Sequence, residues 1–505
     1  MQGLHLSIGS VTELAGGRIE ATLSATDDAG AAVPASQIEE IQAVVSGPTS
    51  NANQVLVTTI PKAILTGAQP FTFRLPELRQ LEFVGRSTAS TGDVFTTAGA
   101  PHLDVAGAAT SVFVRTGSTG AASTLASPAA SPQNFVDVLD GSAFARDDVV
   151  VVDDGTPAEE YAKVQFVDAN RLWFSSPATP AYPPGLERAH AAGASVLAVA
   201  LAAKARGPDY TLDAATGTIT EVAEFGTGAA VLVTYTTEFA LPHAYPLALH
   251  ASPDLDETSG KWTGKSLVPG TYTLAIAGYR TVFVNFNFEI NVLRDVAKPA
   301  SKDFLVGGAT TIEPYALIDD PANCYRCHTD IWFHDGRYRG FETCIACHGQ
   351  AGSEDLPRYV AANAPATTGV TVNFRTLLHE IHRGGSLANA GSFEVVTAAR
   401  DAYPSNFKIA NFAQYMFPAM PGGTTRCAKC HGDANTAWLE PSNRNHPTEQ
   451  GADVLVWRAV CTACHAETRD FDHYAAETRG GVEGCAACHA PGSKVLPVDL
   501  AHKTR

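Results

Sequence analysis

Five copies of the pattern C-x-x-C-H lie between residues 324 and 489 of this 505-residue chain, and no other feature constrains its fold as strongly. They are Cys324/Cys327/His328, Cys344/Cys347/His348, Cys427/Cys430/His431, Cys461/Cys464/His465 and Cys485/Cys488/His489. The chain holds ten cysteines, so the five motifs use them all. Whatever the surrounding segment folds into, it must present five groups of two thiols and an imidazole, with no sulfur left for another purpose.

Two cysteines three apart sit on one side of a single helical turn, where both thiols reach the two vinyl groups of one haem and form thioethers. The histidine that follows is carried beneath the iron as an axial ligand. A closed zinc site takes two C-x-x-C pairs, or one pair with two histidines, and five pairs do not divide that way. A thioredoxin-like motif is a single C-x-x-C beside a βαβ pattern. Disulfides give no reason for a histidine after every second cysteine. The pattern predicts five covalently bound haems c, with iron, on these ten cysteines.

The length allows about three domains. No apolar run approaches the ~18 residues that a membrane span requires, so no transmembrane segment is expected. The opening "MQGLHLSIGS" has neither a basic n-region nor an apolar h-region. Because attachment to C-x-x-C-H takes place outside the bacterial cytoplasm, the expectation is that a signal peptide has been removed; no cysteine near the start offers a lipid anchor. The formal charge is −17, with 17 basic and 30 acidic groups in residues 1–300 against 18 and 22 in 301–505. That balance argues against nucleic acid or an anionic membrane as partner.

The front three hundred residues read as all-β sandwich or barrel modules. "VNFNFEINV" alternates Val284, Phe286, Phe288, Ile290 and Val292 with polar residues, predicting one strand with one apolar face. "RIEATLSAT" places Ile19, Ala21, Leu23 and Ala25 on one side and runs into a "DDAG" turn. Val231, Val233 and Tyr235 share a face in "AAVLVTYTTEF", and "GTYTLAIAGYR" reads as another strand around Tyr272, Leu274 and Ile276. "TGSTGAASTLASPAASPQ", residues 116–133, has the composition of a linker or a long surface loop. The expected division is a β-sandwich module over 1–103, a second β module over 104–240 that could be an insertion, and strands over 241–300 that complete the first sandwich or link onward. Residues 301–505 form a haem-cored, mostly irregular and helical pentahaem cytochrome c domain. The acidic stretches "DDVVVVDDG" and "SPDLDETSG" are weak candidates for calcium, since solvated loops explain them without an EF-hand spacing.

A bis-histidine site needs one further imidazole per haem, so five are required beyond the motifs. Residues 301–505 offer six: His334, His379, His382, His446, His473 and His502. Met416 and Met420 are the other possible ligands there, both in a Pro-rich loop. In "NFRTLLHEIHRGG", Asn373 can cap a helix, Leu377, Leu378 and Ile381 give it an apolar side, and Gly384 and Gly385 end it. His379 and His382 then project from neighbouring positions on one face and can ligate two different haems.

"CYRCHTDIWFHDGRYRG", "LLHEIHRGG", "MFPAMPGGTTRCAKCHG", the pair "CTACH" and "CAACHAPG" with "FDHY" between, and a histidine near the chain end together resemble the OmcA/MtrC family of outer-surface multihaem cytochromes. The likeness covers roughly residues 260–505 well, and the front only through "SGPT" and "LVPGTYTLAI". In that family a pentahaem domain follows a β domain and the arrangement repeats; this chain resembles one half. The resemblance implies His334, His379, His382, His473 and His502 as distal ligands and leaves His446 spare. It also implies an electron-transfer role at the outer-membrane surface or outside the cell, with other cytochromes, an outer-membrane electron conduit, metal oxides or shuttles as partners, and self-assembly as a further option.

Sixteen residues separate Cys327 from Cys344 and twenty separate Cys464 from Cys485, which makes those haems near neighbours, as a relay requires. The competing reading is a periplasmic reductase of a small nitrogen or sulfur oxyanion. It needs an open iron position, often marked by lysine in place of the motif histidine, and all five motifs end in histidine. An electron carrier is therefore expected rather than an enzyme, and no catalytic residue is assigned. The β modules could instead serve adhesion or assembly, which fold alone does not decide.

Overall fold

A computed structural model describes residues 3–502 apart from 89–90, 132, 134, 175–184, 247–261, 263, 287–288, 299, 316–321, 335, 342, 350–373, 388–389, 391–393, 399–406, 416–422, 440–445, 449–455, 466–467 and 481. Most regular structure is β-strand, and the helices are few and short. The chain forms two compact units. One comprises residues 1–43, 56–242 and 276–297; the other comprises 44–55, 243–275 and 298–505.

In the first unit the period-two pattern of "RIEATLSAT" becomes strand Ile19–Thr26, with Ile19, Ala21, Leu23 and Ala25 buried and the intervening residues half-buried. It pairs on either side with His5–Glu13 and Phe71–Arg74. Asp27 Oδ1 accepts from the Ala29 and Ala31 amides, making the expected turn. A six-stranded antiparallel sheet runs in the order Glu160–Lys163, Val149–Val152, Ser195–Lys204, Ser111–Thr124, Ala230–Glu238, Pro76–Arg86. Its strand of four valines is covered on both faces: Val150 and Val152 enter one apolar cluster and Val151 another. This is why the segment reads as a continuous apolar run instead of an alternation. Ala230–Glu238 behaves likewise, with Val231, Val233 and Tyr235 in one core and Ala230 and Leu232 in another.

Two sequence expectations are corrected here. The small-residue stretch from 116 is no linker in its first half: Ser111–Thr124 is a strand of the six-stranded sheet. Its pairing comes from the backbone of Ser195–Lys204, reinforced by Ser118 Oγ donating to Ala198 O, so side-chain composition does not register it. "VNFNFEINV" is not one strand but two arms of a hairpin, Gly270–Phe286 and Glu289–Val296, with Val284 opposite Asn291 and Phe286 opposite Glu289. A period of two persists across a chain reversal, so alternation could not reveal the turn. The apolar residues Phe283, Ile290 and Val292 on the hairpin are exposed.

The carboxylates of "DDVVVVDDG" have protein partners. Asp147 pairs with Lys163 at 2.8 Å, Asp153 with His190 at 2.7 Å, and Asp154 with Arg115 at 2.7 Å and Arg86 at 3.3 Å; Asp148 accepts from the Ala145 amide. Among the described residues no group of three His, Cys, Asp or Glu side chains is arranged to hold a metal ion. "SPDLDETSG" lies outside the described residues.

The second unit carries all five motifs. Buried Tyr245, Trp262 and Tyr272 form an aromatic anchor, with the two tyrosine hydroxyls 2.8 Å apart. Its helices are α1 (Ala322–Tyr325), α2 (Cys344–His348), α3 (Phe374–Arg383), α4 (Ala428–His431), α5 (Val456–Cys461), α6 (Thr468–Ala476), α7 (Cys485–His489) and α8 (Val498–Ala501). Only α3 and α6 exceed two turns, so regular structure leaves much of this unit's packing to other groups. Among the described residues no helix is long and apolar enough to cross a membrane.

Candidate functional site

Each motif is wound into one α-turn. Helices α2 and α7 coincide with two of the motifs. In the other three the histidine amide donates to the carbonyl of the first cysteine, His328 to Cys324 at 3.1 Å, His431 to Cys427 at 3.0 Å and His465 to Cys461 at 2.8 Å. That turn places both thiols on one side and the imidazole beneath them. None of the ten cysteines is in a disulfide. Cys327 and Cys430 are exposed, whereas Cys324, Cys344, Cys347, Cys427, Cys461, Cys464, Cys485 and Cys488 are half-buried.

Cys488 contributes its backbone as well as its motif side chain. The Cys488 carbonyl also organises the loop that follows α7, accepting from the Leu496 amide at 3.2 Å and from Ser493 Oγ. The loop so closed returns Leu496 O to the ring of His489. Motif spacing does not announce this, because the C-x-x-C-H pattern specifies side chains and leaves the partners of their carbonyls open.

Every motif histidine faces one further histidine. Ring centroids are 6.1 Å apart for His328 and His382, 6.1 Å for His348 and His334, 6.4 Å for His431 and His379, 6.3 Å for His465 and His502, and 6.2 Å for His489 and His473. A metal held between two imidazoles sits about 2.0–2.1 Å from each nitrogen, and each nitrogen lies about 1.1 Å from its ring centre, so two trans ligands require about 6.3 Å. All five pairs match that spacing, which direct imidazole stacking or hydrogen bonding would not impose. The residues fit five haem irons. The ring planes fall into two groups, near parallel for His334/His348 (8°) and His379/His431 (23°), and near perpendicular for the other three (83°, 88° and 89°).

Local chemistry prepares these groups as ligands. His382 Nδ1 donates to Leu378 O at 2.7 Å and His489 Nδ1 to Leu496 O at 2.9 Å, which fixes each tautomer and leaves Nε2 for a metal. Burial, with the neighbouring histidine adding to it, lowers the pKa of His328 and of His502 and favours the neutral, ligating form. Burial also pushes the thiols up, Cys347 to about 11, Cys427 to about 11, Cys464 to about 11 and Cys461 to about 12. Burial of this kind disfavours a thiolate, whereas a thioether carries no charge to desolvate.

Helix α3 carries two of the distal candidates one turn apart, and they serve different motifs, His382 facing the first and His379 the third. Asn373, the expected cap, lies outside the described residues. The helix ends at Arg383 in a 3-10 turn, Gly384–Ser386, where glycine is needed. A Cβ on Gly384 would meet Tyr415 O at 2.2 Å, and one on Gly385 would meet Ala413 O at 2.5 Å.

The motifs also follow one another in space. His334, six residues past His328, faces the second motif. Besides sharing α3, the first and third are joined by Asn323 Nδ2 donating to Cys430 O at 3.3 Å. Helix α3, which carries His379 of the third, packs against α5, which ends at Cys461 of the fourth; Tyr474, next to His473 of the fifth, donates its hydroxyl to His465 O of the fourth at 3.3 Å, and the Trp457 amide of α5 donates to Glu483, two residues before Cys485, at 2.9 Å. Numbered along the chain, the sites run 2–1–3–4–5.

His446 has a different environment. It is 2 % exposed, with Nδ1 2.7 Å from Thr448 Oγ1 and Nε2 2.7 Å from Ser266 O, and its ring stands edge-on to Trp262 at 5.1 Å. Both nitrogens are engaged by protein. Met416 and Met420 lie outside the described residues. Sequence reasoning missed Asn323, Gln54, whose side chain bonds Cys347, and Gly349, where a Cβ would meet Ala52 O at 2.0 Å. No local pattern marks them, because each acts on a partner distant in sequence.

Residues 317–503 match the sequence profile of the family described as outer membrane cytochrome MtrC/MtrF-like, domains II/IV. This segment is an MtrC/MtrF-like cytochrome segment. As an MtrC/MtrF-like domain it is a multihaem c-type cytochrome unit that carries haem c. Among solved structures, the chain is similar to the outer membrane decahaem cytochrome OmcA at 11 % identity and a TM-score of 0.35, over 99 % of this chain and 48 % of that one. It is similar to MtrC from Shewanella baltica OS185 at 13 % identity and a TM-score of 0.28, over 97 % of this chain and 52 % of that one. The chain thus spans about half the length of these two proteins. No curated protein sequence matches it.

Proposed function

We propose that this chain is an electron relay of five haems c, each held by two imidazoles, working at the outer-membrane surface or outside the cell. The observation that carries the reading is the set of five histidine pairs at the trans-ligand spacing. Cys324/Cys327, Cys344/Cys347, Cys427/Cys430, Cys461/Cys464 and Cys485/Cys488 would tether the haems of sites 1 to 5, and the pairs His328/His382, His348/His334, His431/His379, His465/His502 and His489/His473 would hold their irons. Haem iron supplies a one-electron couple at each site. Two imidazoles at each site would hold the iron, and so would leave no place there for a small substrate and demand little rearrangement when an electron arrives. The order 2–1–3–4–5 makes sites 2 and 5 the ends of the path. Other cytochromes, an outer-membrane conduit and external acceptors such as metal oxides or shuttles are the partners this role requires.

The test combines intact mass with carbon monoxide. Denatured, matured protein should show five haem additions, and the dithionite-reduced protein should bind no carbon monoxide, which enters only at an open or easily vacated position. Fewer than four additions would refute the haem count. Stoichiometric carbon monoxide binding together with turnover of nitrite or hydroxylamine would replace the relay by a reductase.

A further inference from the structure

Helix α7 is followed by a tight reversal. Pro491 and Gly492 take the second and third places of a β-turn in which the Ser493 amide donates to Ala490 O at 3.0 Å, and Gly492 has the positive φ, 78°, that the third place of a type II turn requires. The reversal sends Ser493 back over the end of α7, where its hydroxyl donates to Cys488 O. The same carbonyl accepts from the Leu496 amide at 3.2 Å, and Leu496 O accepts from His489 Nδ1 at 2.9 Å. Farther on, Pro497 is buried, its carbonyl accepts from the Leu500 and Ala501 amides of α8 at 2.9 and 3.0 Å, and the His502 amide donates to Val498 O at 3.0 Å. His502 faces His465, the motif histidine of site 4. The segment is thus held to site 5 at one end and to site 4 at the other, with the Leu496 carbonyl between. Val495 and Leu496 are 70 % and 51 % exposed, so hydrogen bonds, not side-chain packing within the chain, fix where that carbonyl points.

We propose that Ser493 is a positioning residue that lowers the reduction potential of site 5, one end of the path, by holding the Leu496 carbonyl on His489. The inference rests on the five-haem reading above. A carbonyl that accepts from Nδ1 draws the ring proton outward and raises the basicity of Nε2, the nitrogen left for the iron. A more basic ligand favours the ferric state, which carries one more positive charge than the ferrous. The electron enters and leaves at the iron, and the Nδ1 proton stays on the ring in both states. Hydrogen bonds to charged groups are stronger than neutral ones by an amount that corresponds to a roughly fivefold change in an equilibrium constant. Loosening this bond should therefore raise the site 5 potential by about 40 mV.

The experiment is an EPR-monitored redox titration of the holoprotein and of its S493A, S493V and S493T variants. The low-spin signal lost on His473→Ala identifies site 5 within the near-perpendicular class. S493A and S493V should each raise the midpoint of that site, about fivefold in equilibrium constant, and leave the other midpoints in place. S493T, which matches valine in shape and keeps the hydroxyl, should stay near wild type, whereas a role in packing alone would make valine and threonine alike. No shift at site 5, a downward shift, or equal shifts in S493V and S493T would overturn the proposal. If S493V fails to mature, S493A and S493T still decide it. A wild-type protein with fewer than five haem additions, or a His473→Ala variant that keeps every low-spin signal, would defeat the five-haem reading instead, so the two failures are distinguishable.

Discussion

His446→Ala separates a structural histidine from a ligand histidine. The ring is buried, bonds through both nitrogens and packs edge-on against Trp262 and Tyr245. Truncation removes two hydrogen bonds at about 1 kcal/mol each. It also leaves a ring-sized void beside two aromatic side chains, and aromatic-to-alanine changes of this kind cost about 3–5 kcal/mol, so the total loss is about 5–7 kcal/mol. For a unit of this size each kcal/mol lowers the melting temperature by about 2–4 °C, which gives a drop of roughly 10–28 °C. His446→Gln keeps a polar group for Thr448 or Ser266 O and should recover part of the loss. The assays are a thermal melt by far-ultraviolet circular dichroism and an absorption spectrum of the folded variant at low temperature. The expected spectrum is wholly low-spin, identical to wild type. A new high-spin band in folded His446→Ala, or an unchanged melting temperature, would refute the argument.

His382→Ala should open site 1 alone and His379→Ala site 3 alone, each seen as one new high-spin ferric signal; wholly low-spin spectra from both would show that α3 supplies neither ligand. The ring angles predict two kinds of low-spin ferric EPR signal in a ratio of three perpendicular to two parallel, and integration of the oxidised spectrum checks this. In the β unit, burial lowers the pKa of His190, but hydrogen bonds and charges from Glu160 and Asp153 outweigh it, so the folded value is raised. That contribution is complete below the unfolded value and is lost as pH rises through the folded one. Urea midpoints should therefore fall across that window in wild type and be flatter in His190→Gln.

Where information is local, residues alone were enough. The C-x-x-C-H spacing needs one helical turn, and the turns form at all five motifs. Ile19, Ala21, Leu23 and Ala25 announce a strand with one buried face because alternation and pleat share a period of two. The adjacency of His379 and His382 also follows from helical periodicity. Other features depended on partners that no local pattern names. Ser111–Thr124 is a strand because Ser195–Lys204 lies beside it, and "VNFNFEINV" reverses midway although its alternation continues. The second role of Cys488, whose carbonyl closes the loop that orients His489, belongs to the same class, since it depends on where Ser493 and Leu496 come to rest.

The sequence by itself determined which atoms could take part: ten thiols in five pairs, five proximal imidazoles, and six more histidines for five remaining positions. These follow from covalent order and the geometry of one turn. Only the tertiary structure decided how they combine. It set His382 against the first motif and His379 against the third, brought His502 back to a motif 37 residues earlier, and turned His446 away to bond Ser266, 180 residues distant. The physical reason is that ligand pairing is a contact between remote segments, fixed by where packing holds the backbone, and six chemically equivalent imidazoles carry no mark of which partner they will meet.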